Sequence, residues 1–315
     1  MNLIETKSNN QKKLFSHDDL FLNLINLYDQ KKLPNKIILS GSKGIGKATF
    51  AYHFTNYIFS KNEEFNYDKL NFKINDLNRS YNLVFNNSHP NFYLVDIIDD
   101  KKVIEINQIR EMINYTNKSA FNNKERIVLI DNVENLNQSS SNALLKIIEE
   151  PNENVFFILI HDNSKKISET LNSRCLKFNI FLSFKNCIEV TNKIINNNVY
   201  SFINKNLINH YSTVGELINL VNFSQSIDLN IASSNLKDFL LNIIDGKHYS
   251  KDPYIKKNIY KYIEFYLFEL FNIESSKKNI SLIYENFIKK IYYLKKFNLD
   301  EESFFIEFKT KILNG

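Results

Sequence analysis

The chain has 315 residues, 43% hydrophobic and 24% charged, with a net charge of +5 at pH 7. It has room for two or three domains around a large core, and no apolar run nears the ~20 residues of a membrane helix. Two lone cysteines, Cys175 and Cys187, exclude a disulfide framework and a C-x-x-C zinc site.

The opening segment MNLIETKSNNQKK lacks the apolar core and cleavage site of a signal peptide, so a cytoplasmic protein is expected. The positive charge permits nucleic-acid contact without requiring it, because a basic helix face is usually just solvated. Leu20, Leu24 and Leu27 then recur at helical spacing, after a cap at Ser16 or Asp18 and before Pro34. Ile37 to Ser40 reads as a buried strand, feeding GSKGIGK and a helix over ATFAYHFTNYIF. The polar and aromatic stretch Ser60 to Asn91 reads as a partly ordered insertion. Further strands are expected at Phe92–Ile98, Arg126–Val133, Val155–Asp162 and Leu176–Ile180, with helices at Ile104–Asn117 and Ser139–Pro151 between them. Apolar strands alternating with helices predict an α/β domain with a parallel sheet covered on both faces.

After about Leu182 the strands stop. Ile188–Tyr211 and Thr213–Phe223 are expected to be helical. Beyond Ile231 the helices lengthen, with Ile255, Ile259, Tyr262, Tyr266 and Leu270 on one face and Ile283, Phe287, Ile291 and Leu294 on another. Asp300 should cap a last helix carrying Phe304, Phe308 and Ile312. These aromatics follow the helical period and so read as packing, not as a base-stacking surface.

The stretch GSKGIGKATF nearly fits the phosphate-binding pattern G-x-x-x-x-G-K-[ST]. Gly41, Gly46 and Lys47 are in place, with Gly44 inside the loop, between a strand and a helix, where backbone N–H groups and a lysine could cradle phosphates. Ala48 stands where a hydroxyl would hold Mg²⁺, and Thr49 points about 100° further round the helix. Asp131 ends a strand, as the second acidic motif of such a site does, although a strand-end Asp alone more often caps a turn. His161 and Asp162 have no nucleophile near them in sequence to make a catalytic set. Arg174, in Ser173-Arg174-Cys175, reads on its own as a solvated loop arginine.

The run LIDNVENLNQSSSNALLKIIEEPNENVFFILIHDNSKKISETLNSRCLKF closely resembles the clamp-loader branch of the AAA+ ATPases. Its signature is S-N-A-L-L-K-x-x-E-E-P, followed 22 residues after Pro151 by S-R-C. LPNKIILSGSKGIGKATFAYHF and SHPNFYL are similar to the same bacterial family. The likeness is strong from Asp18 to Ile180 and weak through STVGELINL and FNLDEESF.

The resemblance implies a P-loop (AAA+) α/β domain over 1–182, a small helical lid over 183–230 and an all-α collar domain over 231–315. It also implies that a hydrolysing member would carry Ser or Thr at Ala48, Glu at Asn132, a polar sensor (usually Thr) at His161 and an arginine at Gly215. All four depart, which argues for a folded domain relieved of hydrolysis, with ATP binding poor and no cofactor or zinc required. The matching arginine, Arg174, would act in trans on a neighbour's ATP. Implied partners are the gamma/tau ATPase subunits, the delta subunit, the sliding clamp and, through the assembly, primer–template DNA. The competing reading is a motor subunit hydrolysing MgATP with Lys47 and Asp131. In a third, Arg174 is idle and the chain is a scaffold.

Overall fold

The computed structural model describes residues 4, 7–98, 101–118, 125–152, 154–227, 230–274 and 278–314. The chain divides into two compact units, one of Glu5–Lys193 with Thr213–Gly215, the other of Met1–Ile4, Ile194–Ser212 and Glu216–Gly315.

The first unit is built on five strands: β1 (Lys36–Gly41), β2 (Phe92–Val95), β3 (Arg126–Ile130), β4 (Val155–Asp162) and β5 (Leu176–Asn179). They pair in parallel in the order β2-β3-β4-β1-β5. Successive side chains leave opposite faces of a strand, so β1, β3 and β4 each supply two cores. Ile37, Leu39, Ile127, Leu129, Ile158 and Ile160 join a cluster with Phe21, Phe50 and Phe54. Those aromatics belong to α1 (Asp18–Asp29) and α2 (Lys47–Ser60). Ile38, Val128, Ile130, Phe157 and Leu159 join the other cluster with Ile109 and Met112 of α4 (Ile106–Thr116) and Leu144 and Ile148 of α5 (Gln138–Glu149). The ring of Phe21 meets that of Phe50 edge-on at 5.2 Å, and burying each such side chain contributes about 1.5–3 kcal/mol. The parallel sheet with helices on both faces is the architecture expected from the strand–helix alternation.

Three details differ from the sequence expectation. The first helix is preceded by His17 in a left-handed conformation with no side-chain cap, and the His17 ring lies against the Ile45 carbonyl. The Ser60–Asn91 stretch is packed: it contains α3 (Arg79–Phe85), capped by Asn78 Oδ1 accepting from the Tyr81 N–H, and buries Tyr67, Ile74, Tyr81 and Val84. A continuous helix to Tyr211 does not form. After α6 (Glu169–Arg174), α7 runs over Phe184–Ile195 and then stops at Asn196, whose φ is 52°. Asn198 then accepts from the Tyr200 N–H and opens a short 3₁₀ turn; asparagine competes with helix through such local bonds.

The elements of the remaining described residues are helices: α8 (Val214–Ser226), α9 (Leu236–Asp245), α10 (His248–Lys251), α11 (Pro253–Glu274), α12 (Lys278–Phe297) and α13 (Glu301–Phe308). Asp300 caps α13 as expected, accepting from Glu302 and Ser303 N–H groups. Phe287 of α12 packs edge-on against Phe304 and Phe308 of α13, so these rings serve as core. Ile283, placed inward by the same spacing, is 38% exposed.

Candidate functional site

The glycine loop follows β1, the strand flanked on both sides by β4 and β5. Gly41 sits against β5's continuation: a Cβ there would stand 2.2 Å from the Ile180 carbonyl oxygen. Gly44 and Gly46 have φ of 85° and 94°, a region L side chains rarely adopt. Lys47, the first residue of α2, is buried, and its Nζ donates to the carbonyls of Gly41 and Ser42, each at 2.7 Å. Burial lowers its pKa, opposed by the carboxylates of Asp162, Asp131 and Glu134. The lysine is thus folded onto its own loop.

The four departing positions have definite surroundings. The methyl of Ala48 packs against the core under α2 and offers no oxygen. Asn132 is in a left-handed conformation at φ 55°, and its amide donates to Asp96 Oδ1 at 2.8 Å. The side chain where a base would stand is therefore bound, and an amide cannot take a proton. His161 lies buried on β4, with Nδ1 3.0 Å from Ser40 Oγ and Nε2 2.9 Å from the Lys165 carbonyl. A carbonyl only accepts, so Nε2 carries hydrogen and Nδ1 takes the serine hydroxyl's. The Gly215 N–H donates to the Gly44 carbonyl at 2.8 Å, and a Cβ at Gly215 would stand 3.0 Å from Gly44 Cα.

Asp131 follows β3 and accepts from the Asn132 N–H. Its carboxyl is pushed up to about 6 by burial and by nearby Asp96. Sequence reasoning missed Asp96, Glu134 and Ser40, which line this end of the sheet. Glu134 Oε2 accepts from the Asp162 N–H. Only the position of Asp96 at a strand's C-terminal end could have flagged it.

These residues do not fit a magnesium nucleotide poised for hydrolysis. Where the resemblance expects a metal hydroxyl, a base and a sensor, the chain has a core methyl, an amide bound to Asp96 and a histidine bound at both nitrogens. Among the described residues no group of three or more His, Cys, Asp or Glu could hold a metal ion.

Arg174 lies elsewhere. It ends α6, with Nη1 donating to the Thr170 carbonyl at 3.0 Å and Nη2 2.8 Å from Glu149 Oε1. Its side chain is 37% exposed. The next residue, Cys175, is buried in the core, and burial pushes its thiol up to about 11. Leu176 of β5 pairs with Ile37, near the start of β1, whereas the glycine loop begins at Gly41. At about 3.3 Å per residue the two ends are roughly 13 Å apart along the strand, and Arg174 precedes Leu176. The structure therefore does not bring Arg174 together with Gly41, Gly44, Gly46, Lys47 and Asp131.

The fold and these residues define a P-loop-type α/β domain on a parallel sheet, followed by a helical C-terminal region. Residues 16–182 match the family model described as "DNA polymerase III, delta subunit". The chain belongs to that family, on its delta-prime side, and so to the clamp-loader subunits of DNA polymerase III. DNA polymerase III subunit delta' of Buchnera aphidicola subsp. Schizaphis graminum is 29% identical over 280 residues, 87% of this chain and 82% of that protein. The DNA polymerase III subunit gamma of the same organism is 32% identical over 174 residues, 54% of this chain and 44% of that protein. A solved DNA polymerase III gamma subunit-related protein from Thermotoga maritima aligns over 90% of this chain and 96% of its own at 12% identity, TM-score 0.47.

Proposed function

We propose that this chain is the non-hydrolysing delta-prime subunit of the clamp loader and that it lends Arg174 to the ATP site of a neighbouring gamma/tau-type subunit. Its own glycine loop is a retained scaffold that requires no cofactor. With the delta subunit it would help open the sliding clamp and place it on primer–template DNA. No described helix is long and apolar enough to cross a membrane.

The observation that carries this reading is the placement of Arg174. It stands at the end of the sheet away from its own loop, exposed, with guanidinium donors to spare. A guanidinium there can serve a phosphate only if another subunit brings it. Such an arginine stabilises charge developing on the transferred phosphoryl oxygens. The four altered positions support the other half of the reading, because each removes a different part of the hydrolytic machinery.

The purified chain should show no Mg²⁺-dependent ATP hydrolysis. Hydrolysis abolished by Lys47→Ala would overturn the non-hydrolysing role and favour a motor subunit instead.

A further inference from the structure

An arginine finger works only if its guanidinium is held where the phosphate arrives. The side chain of an exposed arginine has several rotatable bonds and, unsupported, samples many positions. Arg174 has two supports from two different elements. One is the Thr170 carbonyl on its own helix, four residues back. The other is Glu149, the last residue of α5, at 2.8 Å.

Glu149 is itself placed by the core. The preceding Ile147 and Ile148 are buried, and the Ile148 carbonyl accepts from Lys36 Nζ at 2.6 Å, which ties the end of α5 to the start of β1. Its neighbour Glu150 lines a groove together with Arg110 and Lys146, and Arg174 is paired with Glu149. An ion pair as exposed as this one adds little to stability, so its effect falls on orientation. The Thr170 carbonyl takes one N–H donor of the guanidinium and Glu149 pairs with its charge, which leaves further N–H donors for an anionic oxygen.

We propose that Glu149 is the positioning residue of Arg174, fixing the guanidinium on the α5–α6 surface before a neighbour's nucleotide meets it. The proposal rests on the trans-arginine reading above, and the experiment separates the two. Reconstituted loaders carrying Glu149→Gln, Glu150→Gln, Arg174→Ala or Glu149→Gln with Arg174→Ala in this chain alone are compared for ATP turnover with clamp and primed DNA. Assembly is checked by size-exclusion chromatography.

Glu149→Gln keeps the side chain's size and should lower kcat about fivefold with the KM for ATP unchanged, because orientation acts on the transition state. Glu150→Gln should match wild type, a further variant, Glu149→Asp, should lose less than Glu149→Gln because it keeps the charge, and the double variant should equal Arg174→Ala. If Arg174→Ala slows turnover while Glu149→Gln does not, the positioning role is wrong and the finger stands. If Arg174→Ala has no effect, the finger reading fails and takes this inference with it. A double variant slower than Arg174→Ala, or a Glu149→Gln chain that does not assemble, would make Glu149 a structural residue and overturn the proposal.

Discussion

The Gly215 N–H donates to the Gly44 carbonyl oxygen at 2.8 Å, and a side chain at either glycine would crowd this approach. A Cβ on Gly215 would stand 3.0 Å from Gly44 Cα, and one on Gly44 would stand 2.6 Å from Thr213 Oγ1. The glycine loop is therefore in backbone contact with Gly215, the position at which the resemblance expects a sensor arginine in a hydrolysing member.

Gly44→Ala should destabilise the first unit by about 1–3 kcal/mol, since it combines a collision with an unfavourable φ. Gly46 has a similar φ, but a Cβ there meets nothing within 4 Å, so Gly46→Ala should cost less, about 1 kcal/mol. Urea denaturation of the two variants checks the order. Equal losses would mean that the Thr213–Gly215 segment does not press on the loop in solution.

Gly215→Arg should not create a working sensor. The new Cβ meets backbone, so either the Gly44–Gly215 bond breaks or the side chain is displaced, and a loss of about 1–2 kcal/mol is expected. Adding Ala48→Thr and Asn132→Glu should still leave ATP hydrolysis undetectable. Residue 132 lies beside Asp96 and Asp131, and a third carboxylate there would repel both. The check is phosphate release by the triple variant.

The pH dependence of stability isolates Asp131. Its folded pKa, about 6, lies above the ordinary value of 3.8, so the folded state binds the proton more tightly than the unfolded one. Its contribution to stability is fullest below pH 4 and falls as pH rises towards 6, on the order of 2–3 kcal/mol in all. His53 acts in the opposite sense. Burial lowers its pKa to about 4, so its stabilisation is present above pH 6.5 and is lost as pH falls towards 4. The two effects partly cancel in wild type. Asp131→Asn, which mimics the protonated acid, should therefore be more stable than wild type at pH 7.5, with the difference shrinking towards zero near pH 4. Chemical denaturation at the two pH values measures it.

Asn78 organises the stretch after α2. Its Oδ1 accepts from Asn56 Nδ2 and the Tyr81 N–H, and its Nδ2 donates to Glu63 Oε2 and the Phe65 carbonyl. Asn78→Ala removes a helix cap and leaves several buried groups unpaired, which should cost about 2–4 kcal/mol. Thermal unfolding would show it.

Much of this was legible in the sequence, for identifiable reasons. Strands buried on both faces read as continuous apolar runs, so β1, β3 and β4 stand out around Ile38, Val128 and Ile158. The glycine pattern marks its loop by residue type alone. The 60–91 stretch was illegible because its order comes from polar bonds distant in sequence, such as Asn56 to Asn78 and Lys13 bridging to Lys73. The end of α7 at Asn196 was legible, since asparagine favours the left-handed conformation found there, but the apolar spacing beyond it reads on as helix. Ala48, Asn132, His161 and Gly215 were visible as departures, but not what holds each of them. The tie between Glu149 and Arg174 was hidden as well, because 25 residues and a whole strand separate the two.

The measurement that tests the central claim most directly is single-turnover ATP hydrolysis by a reconstituted loader bound to clamp and primed DNA, with wild type compared with Arg174→Ala in this chain alone. At the site this chain borders, the rate should fall by about tenfold or more while assembly is unchanged, and Arg174→Lys should not restore it because lysine lacks the planar fork. An unchanged rate in Arg174→Ala would contradict the account and leave the chain a scaffold.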